Sequence, residues 1–149
     1  MPPVARSLFG NELGEEGAVA IAEALKVNTA LVTLDLGVNQ KIGDRGAIAI
    51  AEALKVNTAL TELKLWGNHI GDAGAVAFAE ALKVNSVLLV LDFYINNIGD
   101  EGAIAIADAL RVNAVLAALK LSINQNITQR GQDAFAEALQ VNDAMKDLT

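Results

Sequence analysis

The sequence contains no cysteine, a single histidine, two prolines and very few rings, with Phe, Tyr and Trp making up only 4% of its 149 residues. The lack of cysteine excludes a disulfide framework, a thiolate nucleophile and any Cys-based zinc site, and it fits a reducing compartment. With so few rings against 53% hydrophobic residues, the core has to be built from Ala, Leu, Ile and Val in thin, repeated layers. Basic residues are the minority, eleven against eighteen acidic ones, and the formal charge of −7 repels a phosphate backbone. No nucleic-acid or membrane partner is therefore expected. Long apolar runs are absent too: Glu, Lys or Asn interrupts every hydrophobic segment, and Met1 to Gly10 has no leader-like stretch. Neither a membrane span nor a secretory signal is expected, and the expected location is the cytoplasm. The length suits one domain, residues 1–149, large enough to fold without staples.

What the sequence does have is repetition. The segment Ala49-Ile50-Ala51-Glu52-Ala53-Leu54-Lys55-Val56-Asn57 returns almost unchanged, with its final Asn at Asn28, Asn57, Asn85, Asn113 and Asn142. The apolar positions Leu13, Ile42, Ile70, Ile98 and Ile127 keep the same spacing, and every step is 28 or 29 residues. A second pattern lies between these segments. In Leu60-Thr61-Glu62-Leu63-Lys64-Leu65-Trp66-Gly67-Asn68, Leu stands first, fourth and sixth and Asn ninth; the copies begin at Leu31, Leu60, Leu88 and Leu116, with Phe93 replacing one Leu.

The alternation in Leu63-Lys64-Leu65 has period two, so each repeat supplies a short strand with one buried face. In Gly46 to Lys55, the residues Ala47, Ile50, Ala51 and Leu54 recur at helical spacing, so each repeat also supplies one amphipathic helix. Asp44, Asp72 and Asp100 stand where they would cap the first turn of their own helices, after Gly43, Gly71 and Gly99 at a tight turn. The Asn after each helix suits a left-handed terminating residue, and the Asn at the ninth place suits a turn. Val19, Ile48, Val76 and Ile104 are placed for contacts between helices, whereas the last repeat carries Gln132 and Asp133 there and reads as partly adapted to an end.

With these four LxxLxL units in register, each followed by Asn and a helix start, the chain resembles the leucine-rich-repeat family, in particular its ribonuclease-inhibitor-like class, as in the repeat arrays of NOD-like receptors. The resemblance implies an α/β solenoid in a horseshoe arc, with about five repeats, a parallel sheet on the concave face and helices on the convex face. It also implies a protein-binding scaffold and no catalysis. The lack of cysteine and the small number of repeats set this chain apart from the ribonuclease inhibitor itself.

In such a sheet, outward residues at one repeat position form columns across strands roughly 4.8 Å apart. The central column reads Ser7, Asp35, Lys64, Asp92, Lys120, alternating in sign as a self-satisfying ladder would. The column two residues later reads Phe9, Gly37, Trp66, Tyr94, Ser122, flanked by Gly10, Val38, Gly67, Ile95 and Ile123. Aromatics gathered beside exposed Ile95 and Ile123 mark a candidate protein-binding edge; the alternative is that the rings fold down onto the strand ends. The candidate partner-binding residues are Phe9, Trp66, Tyr94, Ile95 and Ile123, with the charged column Asp35, Lys64, Asp92 and Lys120.

No catalytic, cofactor or metal site is expected. His69 lacks a Cys or second His to share a metal or a proton, and the glycines of Ile42-Gly43-Asp44-Arg45-Gly46 lack the Lys and hydroxyl of a phosphate loop. Pairs such as Glu52 with Lys55 read as solvated helix pairs. Alignment of the repeats makes the chain open and close part-way through a strand, which leaves a second reading beside partner binding: a structural segment, or one that self-assembles through uncapped ends.

Overall fold

A computed structural model describes residues 2–39 and 41–149. Strands and helices alternate along the chain. The strands are β1 (Val4–Ser7), β2 (Leu31–Asp35), β3 (Glu62–Lys64), β4 (Val90–Asp92), β5 (Ala118–Lys120) and β6 (Asp147–Leu148). The helices are α1 (Gly14–Val27), α2 (Gly43–Leu54), α3 (Asp72–Leu82), α4 (Asp100–Leu110) and α5 (Gln129–Leu139). The strands form one parallel sheet in sequence order, and each helix packs on the next in the same order. This is an α/β leucine-rich-repeat solenoid, as the family resemblance implied.

The two hydrophobic periods meet between sheet and helices. Leu60, Leu63 and Leu65 from one repeat, and Ala47, Ile50, Ala51 and Leu54 from a helix, are all buried in one continuous core. Rings enter it at Phe78 and Phe93, which meet edge to face with centroids 4.9 Å apart, and again at Phe135 in α5. Small residues set the helix spacing. A Cβ on Gly46 would lie 2.8 Å from the Ala18 Cβ, one on Gly74 2.9 Å from Ala47, and one on Gly102 2.7 Å from Ala75. From α2 onward the glycine of each helix thus lies against an alanine of the helix before it. In α5 the residue at the alanine position is Gln132, which is exposed.

The polar signature residues act between repeats more than within them, which corrects two expectations. The aspartates do not cap their own helices. Asp44 Oδ1 accepts the Gly71 and Gly74 N–H groups at 2.8 and 2.9 Å, and Asp72 Oδ1 accepts those of Gly99 and Gly102. Asp100 accepts from the Thr128 N–H and hydroxyl and from the Gly131 N–H. Each carboxylate therefore satisfies free donors at the start of the following helix. Gly71 and Gly99, at φ of −106° and −109°, are not left-handed; a Cβ there would instead press on the Asp44 or Asp72 carboxylate. Only Gly43, at φ +57°, takes the positive dihedral the sequence suggested for this turn.

The helix-terminating asparagines are not left-handed either; Asn28, for example, is extended at φ −81°. Asn57 instead donates through Nδ2 to the Leu25 and Asn28 carbonyls of the preceding repeat, while its Oδ1 accepts the Ala59 and Leu60 N–H groups. Asn85, Asn113 and Asn142 repeat this arrangement. The ninth-place asparagines do bond turn backbone, as expected, and they reach across repeats as well. Asn96 Nδ2 donates to the Leu65 and Phe93 carbonyls and its Oδ1 accepts the Asn68 and Ile70 N–H groups.

Asn96→Ala should therefore leave several buried backbone groups unpaired and destabilise the fold by about 3 kcal/mol, read from chemical denaturation, while Asn97→Ala at the exposed neighbouring position should change little. The Thr128 hydrogen bonds hold the Asp100 carboxyl below the usual aspartate value of 3.8. A depressed folded-state pKa makes its contribution complete above that value and lost as pH falls through the lowered one. Acid titration of Asp100→Asn should accordingly show a shallower loss of stability below the usual aspartate range than the wild type; identical acid profiles would contradict the role given to Asp100.

Candidate functional site

Strand register places the outward residues as the repeat spacing requires. Asp35 pairs with Lys64, Lys64 with Asp92, and Asp92 with Lys120 across β2 to β5, and Ser7 stands beside Asp35. The column is therefore real, but it is not the uniform ladder expected from the alternation. Lys64 pairs with Glu62 of its own strand at 3.2 Å, and the one ion pair between strands of the column is Lys120 with Asp92 at 4.0 Å. The two aspartates turn to the backbone instead: Asp35 Oδ1 accepts the Gly37 N–H and Asp92 Oδ1 that of Tyr94, each at 2.9 Å. Asp92 is buried. A short carboxylate at this place reaches the amide two residues on and fixes the bend at the end of the strand, whereas a lysine reaches outward.

That bend presents the aromatic column. The Trp66 indole lies across the neighbouring repeat, and a Cβ on Gly37 would fall 2.3 Å from its Nε1. It continues over Gly37 to stack on Phe9, with ring centroids 5.3 Å apart and planes 27° from parallel. A glycine in the repeat between them makes this stack of two rings possible. Trp66 and Tyr94 are half-buried, while Phe9, Ile95 and Ile123 are 50%, 41% and 51% exposed. The rings are thus neither swallowed by the core nor free in solvent; they pave one edge of the sheet.

The apolar flank has a feature the sequence pattern did not reveal. Val38, Ile95 and Ile123 have φ of 49°, 52° and 58°, in the left-handed region where Gly10 and Gly67 stand in the other repeats. A branched Cβ in this region costs about 1–2 kcal/mol per residue, and that cost is met at three positions of one row, with Gly67 between the first and the second. Val38, half-buried, belongs with the candidate residues although the charge and ring columns did not single it out. The signal was the substitution of Val or Ile for Gly at one repeat position. Between Val38 and Ile95, the missing side chain of Gly67 leaves a pocket of about 340 Å³, walled also by Trp66, His69 and Asn97.

Among the described residues there is no group of three or more His, Cys, Asp or Glu placed to hold a metal ion, and no helix is long and apolar enough to cross a membrane. His69 is exposed in a turn at φ +58°. The helix pairs Glu23 with Lys26, Glu52 with Lys55 and Glu80 with Lys83 form at 2.6 Å on the surface. The Lys83 hydrogen bond and charge lower the Glu80 pKa, an effect that solvent screens.

The family model for the leucine-rich repeat matches residues 7–22, 27–51, 56–79 and 84–107, and the chain belongs to the leucine-rich-repeat family. Among solved structures it is similar to one described as actin-binding site 2 of leiomodin-1, at 26% identity over 95% of this chain and 82% of the other, with a TM-score of 0.75. It also shares its fold with the C-terminal domain of tropomodulin from Caenorhabditis elegans, at 14% identity over 89% of this chain and 80% of the other, with a TM-score of 0.71. No curated protein matches it at a significant level.

Trp66 is the only tryptophan, so its fluorescence reports on this site alone. Gly37→Ala should push the indole off its neighbour, break the stack on Phe9 and shift the emission to the red as the ring meets water. An unchanged spectrum would mean that Trp66 does not lie over Gly37.

Proposed function

We propose that this chain is a non-enzymatic protein-binding module, folded as one unit over residues 1–149, that engages its partner through the aromatic and apolar edge of the sheet. The observation that carries this reading is the Phe9–Trp66 stack beside Ile95 and Ile123, large apolar groups kept at the surface at a conformational cost that a glycine would not incur. Surfaces of this kind, aromatic at the centre with a polar surround, carry most of the energy in protein interfaces. The long repeat with a full helix supports the ribonuclease-inhibitor-like subtype. The charged column supports a lesser role than its alternation suggested, because Asp35 and Asp92 are committed to backbone amides and leave Lys64 and Lys120 as the reachable charges.

The leiomodin-1 structure is described as an actin-binding site, which makes actin the first partner to test. An intracellular site of action follows from that reading. Association through open ends has one observation in its favour, an apolar pocket of about 440 Å³ beside β6 lined by Leu121, Ile127, Phe135 and Leu148 among others. Against it stands Gln132, which occupies the place where the other helices offer an alanine to the next glycine.

Calorimetric titration with monomeric actin tests the first partner, and pull-down from a cytosolic extract tests the surface whatever the partner. In both, Trp66→Ala should weaken binding by about 2 kcal/mol while the helix-face control Lys83→Ala leaves it unchanged. Equal binding by wild type and Trp66→Ala would contradict the assignment.

A further inference from the structure

Gly67 stands between two branched residues of its row, Val38 one repeat back and Ile95 one repeat on. All three have left-handed backbone, at φ of 68°, 49° and 52°. The turn at Gly67 therefore has the shape that carries a branched side chain on either side of it, but it carries none. Backbone bonds hold the three turns together: the Val38 N–H donates to the Trp66 carbonyl, and the Gly67 N–H to the Tyr94 and Ile95 carbonyls. A Cβ built on Gly67 would come within 3.2 Å of the Val38 Cγ2, so a side chain there would run against Val38. In its place lies the pocket of about 340 Å³, lined also by Trp66, Ile95, His69 and Asn97, with room for one branched side chain.

Ile95 and Asn97 line a second pocket as well, of about 250 Å³, together with Asn96, Ile123, Gln125 and Asn126. Asn97, Gln125 and Asn126 are exposed, and each side-chain amide offers both a donor and an acceptor. A peptide group requires that combination. Although 19% of the sequence is charged, no Asp, Glu, Lys or Arg among the described residues lines either pocket.

We infer that the pocket over Gly67 seats one branched aliphatic side chain of a bound peptide, an isoleucine, leucine or valine, whose backbone crosses Ile95 to the amides of Asn97, Gln125 and Asn126. The inference rests on reading this edge as a protein-binding surface and names the residue class that the surface selects. A charged side chain would lose its hydration here and meet no opposite charge, which is unfavourable. A small one would leave the apolar surfaces of Val38, Trp66 and Ile95 in water. The partner supplies the side chain that this row omits, and walls already fixed by the backbone lose little freedom when it enters.

Blocked tripeptides of the form acetyl-Gly-X-Gly-amide, where X is isoleucine, leucine, alanine, lysine or glutamate, test this on the full chain. The isoleucine and leucine peptides should shift the Ile95 methyl resonances and the Trp66 emission saturably, with a Kd on the order of 10 mM from burial of one side chain. The alanine, lysine and glutamate peptides should bind at least about fivefold more weakly, and Asn97→Ala should weaken the isoleucine peptide several-fold. Gly67→Ile places in this turn the residue found at positions 95 and 123, fills the pocket and should abolish binding; Gly67→Ala fills it in part and should weaken binding less. Circular dichroism confirms the fold of each variant. Absence of any saturable shift, binding of the charged or alanine peptides or of glucose as tight as that of the isoleucine peptide, or undiminished binding by a folded Gly67→Ile variant would overturn the inference. Protein-partner binding that is lost on Trp66→Ala but kept in Gly67→Ile would leave the surface assignment standing and remove only the side-chain pocket.

Discussion

Each repeat of this solenoid is completed by its neighbour through side-chain hydrogen bonds, and the rest of the structure depends on that. A strand of three residues with one helix cannot bury its own backbone termini. Here Asn57 bonds the Leu25 carbonyl one repeat back, Asp72 takes the Gly102 N–H one repeat on, and Asn96 ties the turns after β3 and β4 together. Among the described residues, every buried side-chain nitrogen and oxygen has a partner. In a low-dielectric interior the alternative, an unpaired donor or acceptor, is expensive, so the asparagine and aspartate series hold the repeats at one spacing as firmly as the leucines do.

A fixed spacing is what allows the sheet edge to be built from parts of different repeats. Trp66 of one repeat uses the space that Gly37 leaves in the next and rests on Phe9 of a third. The turns at this edge are held by Asp35, Asp92 and the asparagine bonds behind them, and that rigid support keeps Val38, Ile95 and Ile123 in a backbone conformation that branched residues avoid. Rigid apolar groups at a surface lose little conformational freedom on contact with another protein, which favours their use in binding.

The parts of this structure that follow from periodicity were legible in the sequence. Leucines at period two, the Ala and Ile stripe at helical spacing and the constant step of the repeat give the strands, the helices, their order and the strand register that brings Asp35, Lys64, Asp92 and Lys120 into one column. What could not be read was the destination of short polar side chains. Asp44 stands in the first turn of the helix it was expected to cap, and only the superposition of repeats shows its carboxylate to be nearer the next one. Asp35 and Asp92 looked like charges available to a lysine, but the amide two residues on is closer. The left-handed backbone at Val38, Ile95 and Ile123 was hidden because its sole trace is glycine in two repeats and a branched residue in the others.

Hydrogen exchange measured with and without a bound protein partner tests the account most directly. If the ring-paved edge is the binding surface, protection should rise in the turns at 66–69 and 94–97, and the helical face at 48–55 and 76–83 should stay as it is. Protection confined to the helices, with the edge exchanging as freely as before, would contradict it.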